Sequence, residues 1–175
     1  MNVGEQLQVF TREARRIGLV IAPHQQERLL IAATWLAQLS RSSGISGYKT
    51  TETALMRGMA PALTYFALPT PRTGLLVDIG AGNGALGATI AILAENLTIH
   101  LVDRAERAYT ACEILAARLA LPNLIAFRMN TEEAPPHTYD AAVLRAFAPA
   151  ASALPTARRL TRPGGWVVAY HRFDD

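Results

Sequence analysis

The chain has 175 residues, half of them apolar, which is enough for one domain with a sizeable core. No apolar run reaches the roughly 18 to 20 residues of a membrane-spanning helix, and the N-terminal "MNVGEQLQVFTREARR" has no signal-peptide core, so no membrane partner and a reducing, cytoplasmic setting are expected. The net charge is +3, and of 17 basic residues only Lys49 is lysine; arginine suits phosphate contacts, and the Arg- and Ala-favouring codons of a GC-rich genome give the same composition.

In chain order, "LQVFTREARRIGL" (7–19) has helical spacing, and Arg12, Arg15 and Arg16 share that helix either as an RNA phosphate grip or as a solvated face. "PHQQERLLIAATWLAQLS" (23–40) opens on Pro23 and keeps an apolar stripe at Leu29, Leu30, Ala33, Leu36 and Leu39. A loop at 40–50 precedes "TETALMRGMAPALTYFAL" (51–68), read as helix broken before Pro61, and "PTPRTG" is a second loop. From there strands and helices alternate: strand 75–79, helix 85–95, strand 98–103, helix 104–121, strand 124–129, strand 139–147, helix 151–160, and a Pro-Gly-Gly turn feeding strand 166–170. That rhythm predicts a parallel α/β sheet with helices on both faces, 71–175, behind a helical extension, 1–70. Only "HRFDD" follows the last strand. Its edge at 166–170 is expected to stay open, and a homodimer through it, or a chain cut short, accounts for such an edge.

Chemistry concentrates in "LLVDIGAGNGALGATIAI". Glycines between an apolar strand and a helix let the backbone turn sharply and let a ligand approach, and free amides at a helix start attract polar groups. Gly82-x-Gly84-x-x-Gly87 fits the dinucleotide pattern. Asp78-x-Gly80-x-Gly82-x-Gly84 fits the S-adenosyl-L-methionine (AdoMet) pattern of Rossmann-like methyltransferases, in which an acid before the glycines faces the methionine ammonium. Asp103 ends the second strand, where an acid accepts ribose hydroxyls in either case. The Pro-Gly-Gly strand and the short span after the glycine loop favour AdoMet over a nicotinamide dinucleotide. The single cysteine, Cys112, reads as a small buried helix residue, and the histidines make no metal-ligand spacing.

Taken together, "VDIGAGNGALGATIAI", "HLVDRAERA", "YDAAVLRAFAPAASAL" and "RPGGWVVAY" resemble the bacterial small-subunit ribosomal RNA guanine-N7 methyltransferase family, once called glucose-inhibited division protein B. The resemblance covers 74–170, and "RAFAP" is its most specific piece. It implies a class I AdoMet-dependent methyltransferase, a fold that normally adds a helix and an antiparallel hairpin after the fifth strand; here that hairpin is expected to be missing. It implies AdoMet as cofactor and small-subunit rRNA as substrate. It places Gly80 and Ala85 beside the methionine and ribose, Asp103 on the ribose, Thr131 and Glu132 at the adenine, and Arg145 in the cofactor pocket. Asp78, Gly82 and Gly84 complete the expected cofactor set; no metal is expected, and no catalytic residue is assigned. The chain departs from the family at "WLAQLSRS", at "MRGMAPAL", at Glu106-Arg107-Ala108 and at His171-Arg172, all on the acceptor side. A diverged member that binds without turnover, and a nicotinamide oxidoreductase, remain as alternatives. Guanine N7 attacks with a lone pair and loses no proton, which suits a sequence offering no obvious base.

Overall fold

The computed structural model describes residues 2–43, 45, 47–146 and 148–170. Phe147 of "RAFAP", His171 and the rest of "HRFDD" lie outside the described residues. Five parallel strands form one sheet in the order β3-β2-β1-β4-β5: β1 Gly74–Ile79, β2 Leu97–Asp103, β3 Leu124–Arg128, β4 Tyr139–Arg145 and β5 Thr161–Tyr170. The order reverses between β1 and β4, the place where open α/β sheets bind ligands at the carboxyl ends of their strands.

Helix α1 (Val3–Arg16) starts ahead of the expected span 7–19, at a cap the sequence reading did not single out. Asn2 Oδ1 accepts the Glu5 N–H at 3.0 Å and the Glu5 carboxylate accepts the Asn2 N–H at 2.8 Å, a reciprocal cap. Helix α2 (Pro23–Ser43) buries Leu29, Ala33, Leu36 and Leu39 of the expected stripe, and the Arg118 guanidinium lies over its Trp35 ring at 4.4 Å. The predicted helix over 51–68 is instead four short pieces. An α-turn α3 (Thr51–Thr53) runs into a π-turn (Ala54–Met59), a 3₁₀ turn (Ala60–Ala62) and α4 (Leu63–Ala67). The break thus begins before Pro61. Pro61 has no N–H to give, and at Gly58 the Tyr48 ring occupies the space a side chain would need, with an added Cβ 2.8 Å from the ring.

The sheet face bearing Leu76, Ile99, Leu101 and Val143 packs on α5 (Ala85–Leu93) and α6 (Glu106–Leu119). All nine residues of α5 are buried, because α2 and the π-turn cover its far side. The helical N-terminus and the sheet therefore share one core. The other face, with Val77, Ile79, Ala142 and Leu144, packs on α7 (Ala150–Leu160). Cover on this face is uneven. Among the described residues no helix joins β3 to β4, and Ile125 and Phe127 are left 41% and 38% exposed. The Pro-Gly-Gly segment, expected as a turn before the last strand, lies within β5 as an outward bulge. Tyr139 pairs with Thr161 and Ala141 with Trp166, so residues 162–165 face Asp140 alone.

Candidate cofactor site

The glycine loop sits at the carboxyl end of β1 and is held by its own backbone. The Val102 carbonyl accepts the N–H groups of Gly80 and Ala81, at 2.9 and 3.1 Å, and Gly84 N–H closes on the Ala81 carbonyl at 2.8 Å. Gly80, Gly82 and Gly84 all have positive φ. A Cβ on Gly82 would meet nothing nearer than 3.9 Å, so the bare backbone there faces open cleft. Gly87 has the opposite reason. A Cβ on it would lie 2.4 Å from Leu101 and 2.8 Å from Asp78 Oδ2, so this glycine lets α5 press on the sheet.

Beside the loop is a cleft of about 520 Å³ lined by Gly80, Gly82, Asp103, Thr131 and Glu132, with Val102 and Met129 among its apolar walls. Asp103, at the end of β2, accepts the Gly82 N–H on Oδ2 at 3.0 Å and the Ala105 N–H on Oδ1 at 2.9 Å. Each carboxylate oxygen keeps a second lone pair for a ligand hydroxyl. Thr131 and Glu132 lie in the loop after β3, and Arg159 of α7 braces that loop by donating to the carbonyls of Ala134, at 2.9 Å, and of Thr131. Sequence reading missed Arg159. It also missed Ser152 and Thr156, which reach the cleft from α7; their spacing of four residues was the available signal.

Asp78, Gly84, Ala85 and Arg145 stand apart from the cleft wall. Gly84 and Ala85 are buried at the start of α5. The Asp78 side chain points beneath the loop, 2% exposed, and its Oδ2 accepts the Gly87 N–H at 2.8 Å. Burial pushes its carboxyl up to about 6; the Gly87 N–H and the Arg145 charge pull the other way, and Asp103 adds to the rise. Arg145 turns away to donate to the Gly58 carbonyl at 2.7 Å and the Tyr48 hydroxyl at 3.0 Å. Its neighbour Ala146, held at φ 53°, lines the cleft instead. Cys112 Sγ rests 3.5 Å from the Gly82 carbonyl, and burial raises the thiol well above its ordinary range, so it stays protonated and is no nucleophile.

The Asp78 environment sets a pH dependence of stability. Its folded value lies above the ordinary 3.8, so the folded state holds the proton more tightly than the unfolded chain. The associated stability is complete below about pH 4 and is lost as pH rises through about 6, roughly 3 kcal/mol in all. Asp78→Asn is neutral throughout and keeps an oxygen for the Gly87 N–H. It is expected to melt above the parent at pH 7.5, with the gap closing as pH falls from 6 to 4. Parallel melting curves across that range would show that the carboxylate is not strained.

Sheet order, glycine loop and strand-end acid define a Rossmann-like fold of the methyltransferase class. The precorrin-6y C5,15-methyltransferase of Geobacter metallireducens superposes with TM-score 0.53 at 17% identity, over 66% of this chain and 62% of that one. Residues 25–173 match the GidB family, rRNA small subunit methyltransferase G, and the chain belongs to it. Relatives named ribosomal RNA small subunit methyltransferase G include one from Bordetella avium, 28% identical over 93% of this chain and 75% of its own length. Another, from Bordetella petrii, is 27% identical over 87% of this chain and 62% of its own length.

Proposed function

We propose that this chain binds AdoMet in the cleft at Gly82 and Asp103 and methylates guanine N7 in small-subunit ribosomal RNA. The observation that carries the reading is the pairing of Gly82 with Asp103: a backbone left bare toward the cleft, tied to a carboxylate that retains acceptor capacity. A cofactor carrying ribose and adenine fits this arrangement. Asp103 takes the ribose hydroxyls, Thr131 and Glu132 border the adenine, and Gly80 and Gly82 let the ligand lie against the backbone. Asp78, buried and reluctant to ionise on its own, waits beneath the loop for a cationic partner such as the ammonium of the methionine portion. Gly84 and Ala85 set the start of α5 that supports this floor.

AdoMet, when bound, supplies a methyl group on a sulfonium. The protein's part is to orient donor and acceptor and to exclude water, since N7 has no proton to remove. Residues 1–70 form the acceptor-side extension in this reading, 71–175 hold the cofactor, and the work is cytoplasmic. Among the described residues β5 pairs only with β4, and a homodimer through its other edge, read by light scattering, belongs to the same proposal.

Melting in the presence of S-adenosylhomocysteine tests the cofactor assignment. At about 100 times its dissociation constant a ligand adds about 2.7 kcal/mol, a rise of roughly 5 to 10 °C for a chain of this size. NADH is expected to give none. A rise with NADH and none with the AdoMet product would reverse the assignment.

A further inference from the structure

The cleft has a wall on α7 as well as on the loop after β3. Thr131 and Glu132 line it from the loop, and Ser152 and Thr156 line it from the helix. α7 turns Ala153, Ala157 and Leu160 into the core. Ser152, Thr156 and Arg159 follow one another at spacings of four and three residues, which makes them a neighbouring stripe on the same helix. Arg159 joins the two walls, donating to the carbonyls of Ala134, at 2.9 Å, and of Thr131. The loop is closed from within too. Glu133 N–H donates to the Asn130 carbonyl at 3.0 Å, and Ala134 N–H to the Thr131 carbonyl at 3.3 Å. The protein's own bonds therefore fix where α7 stands against the loop.

The α7 wall has a polarity. Ser152 Oγ donates to the Pro149 carbonyl at 3.0 Å, and Thr156 Oγ1 donates to the Ser152 carbonyl at 3.2 Å. A hydroxyl has one proton to give, and both protons are committed to backbone. Only lone pairs remain for the cleft. A ligand group that donates is matched there, and a carbonyl oxygen is not, because turning either hydroxyl to donate breaks its bond to the helix. Among purines, the exocyclic amino group of adenine is such a donor, and hypoxanthine carries a keto oxygen at the same position.

We propose that the hydroxyls of Ser152 and Thr156 accept hydrogen bonds from the exocyclic amino group of the cofactor's adenine, so that α7 makes the cleft selective for adenine over a 6-keto purine. The inference rests on the proposed reading of the cleft as an AdoMet site with its adenine at Thr131 and Glu132.

The test compares two ligands by titration calorimetry on the full chain: S-adenosylhomocysteine and S-inosylhomocysteine, the same molecule with hypoxanthine in place of adenine. The chains are the parent, Ser152→Ala, Thr156→Val and the double variant. Ser152 is exposed and Thr156 half-buried, so all are expected to fold, and melting curves check it. The parent is expected to prefer the adenine ligand by about tenfold or more, as sites built to accept from a ligand N–H do. Each single variant is expected to weaken S-adenosylhomocysteine by about threefold to tenfold, the size of one neutral hydrogen bond. The double variant is expected to lower the preference for adenine by about tenfold while affinity for S-inosylhomocysteine stays near the parent's. Equal weakening of both ligands would show that α7 only shapes the cleft, and would overturn the proposal. Unchanged affinity for S-adenosylhomocysteine in the double variant would overturn it as well. A parent that binds both ligands equally would leave the AdoMet reading standing and remove the selectivity. A parent that binds neither would defeat the AdoMet reading and this inference with it.

Discussion

Asp103→Ala is expected to weaken binding of S-adenosylhomocysteine by about a hundredfold while the fold survives. Two losses combine. A charged acceptor for a ribose hydroxyl is worth about 1.5 to 3 kcal/mol, and the same carboxylate holds the Gly82 N–H at 3.0 Å and the Ala105 N–H at 2.9 Å. Without it the glycine loop keeps its backbone bonds to the Val102 carbonyl but loses its side-chain tie to β2, and Gly82 must be ordered by the ligand. Both amides lie in a part-exposed region and can turn to water, so the cost to folding stays at about 1 to 2 kcal/mol. Titration calorimetry reads the affinity and a melting curve reads the fold. Unchanged affinity would reduce Asp103 to a helix-start and loop brace.

The second large effect separates two glycines of one motif, Gly82 in the loop and Gly87 in α5. Gly87→Val is expected to destabilise the protein by roughly 3 kcal/mol or more, through overpacking and displacement of the buried Asp78. Its first added carbon already lies 2.4 Å from Leu101 and 2.8 Å from Asp78. Gly82→Val has open space around its Cβ but φ +58°, which a branched residue tolerates at a cost of about 1 to 2 kcal/mol. That variant should fold and lose cofactor binding, since its side chain projects into the cleft. Paired melting and binding measurements distinguish them. A Gly82→Val chain that binds normally would show that the ligand does not lie against this part of the loop.

The contrast marks what the sequence could reveal. Alternating apolar strands and helices fix a parallel sheet because each period dictates which face is buried, and β1 to β4 stand where that pattern puts them, while β5 starts ahead of its expected span because the Pro-Gly-Gly segment lies inside it. The glycine motif exposed a ligand loop, since several bare backbones between strand and helix have few other uses. It could not show that Gly82 serves the cleft and Gly87 the core, because that depends on what packs opposite. Asp103 was legible as a strand-end acid. Its bond to the loop was not, because it joins residues 21 apart with α5 and most of β2 between them. The direction of Arg145 was hidden for a like reason: its partners Tyr48 and Gly58 come from the N-terminal helices. The π-turn itself has no sequence period to betray it, and Pro61 pointed to a break only near its true place. Uneven cover over β3 was legible in principle from the ten residues between β3 and β4, too few for a helix and its two loops.

The central claim is transfer of a methyl group to guanine N7 of small-subunit ribosomal RNA. It is tested most directly by incubating the purified chain with unmodified small-subunit rRNA and methyl-labelled AdoMet, digesting the RNA to nucleosides and locating the label by mass spectrometry. The account predicts label in 7-methylguanosine, strongly reduced in Asp103→Ala at limiting AdoMet. Label on cytosine C5 or an adenine amino group, or an RNA left without label by a chain that binds AdoMet, would contradict it.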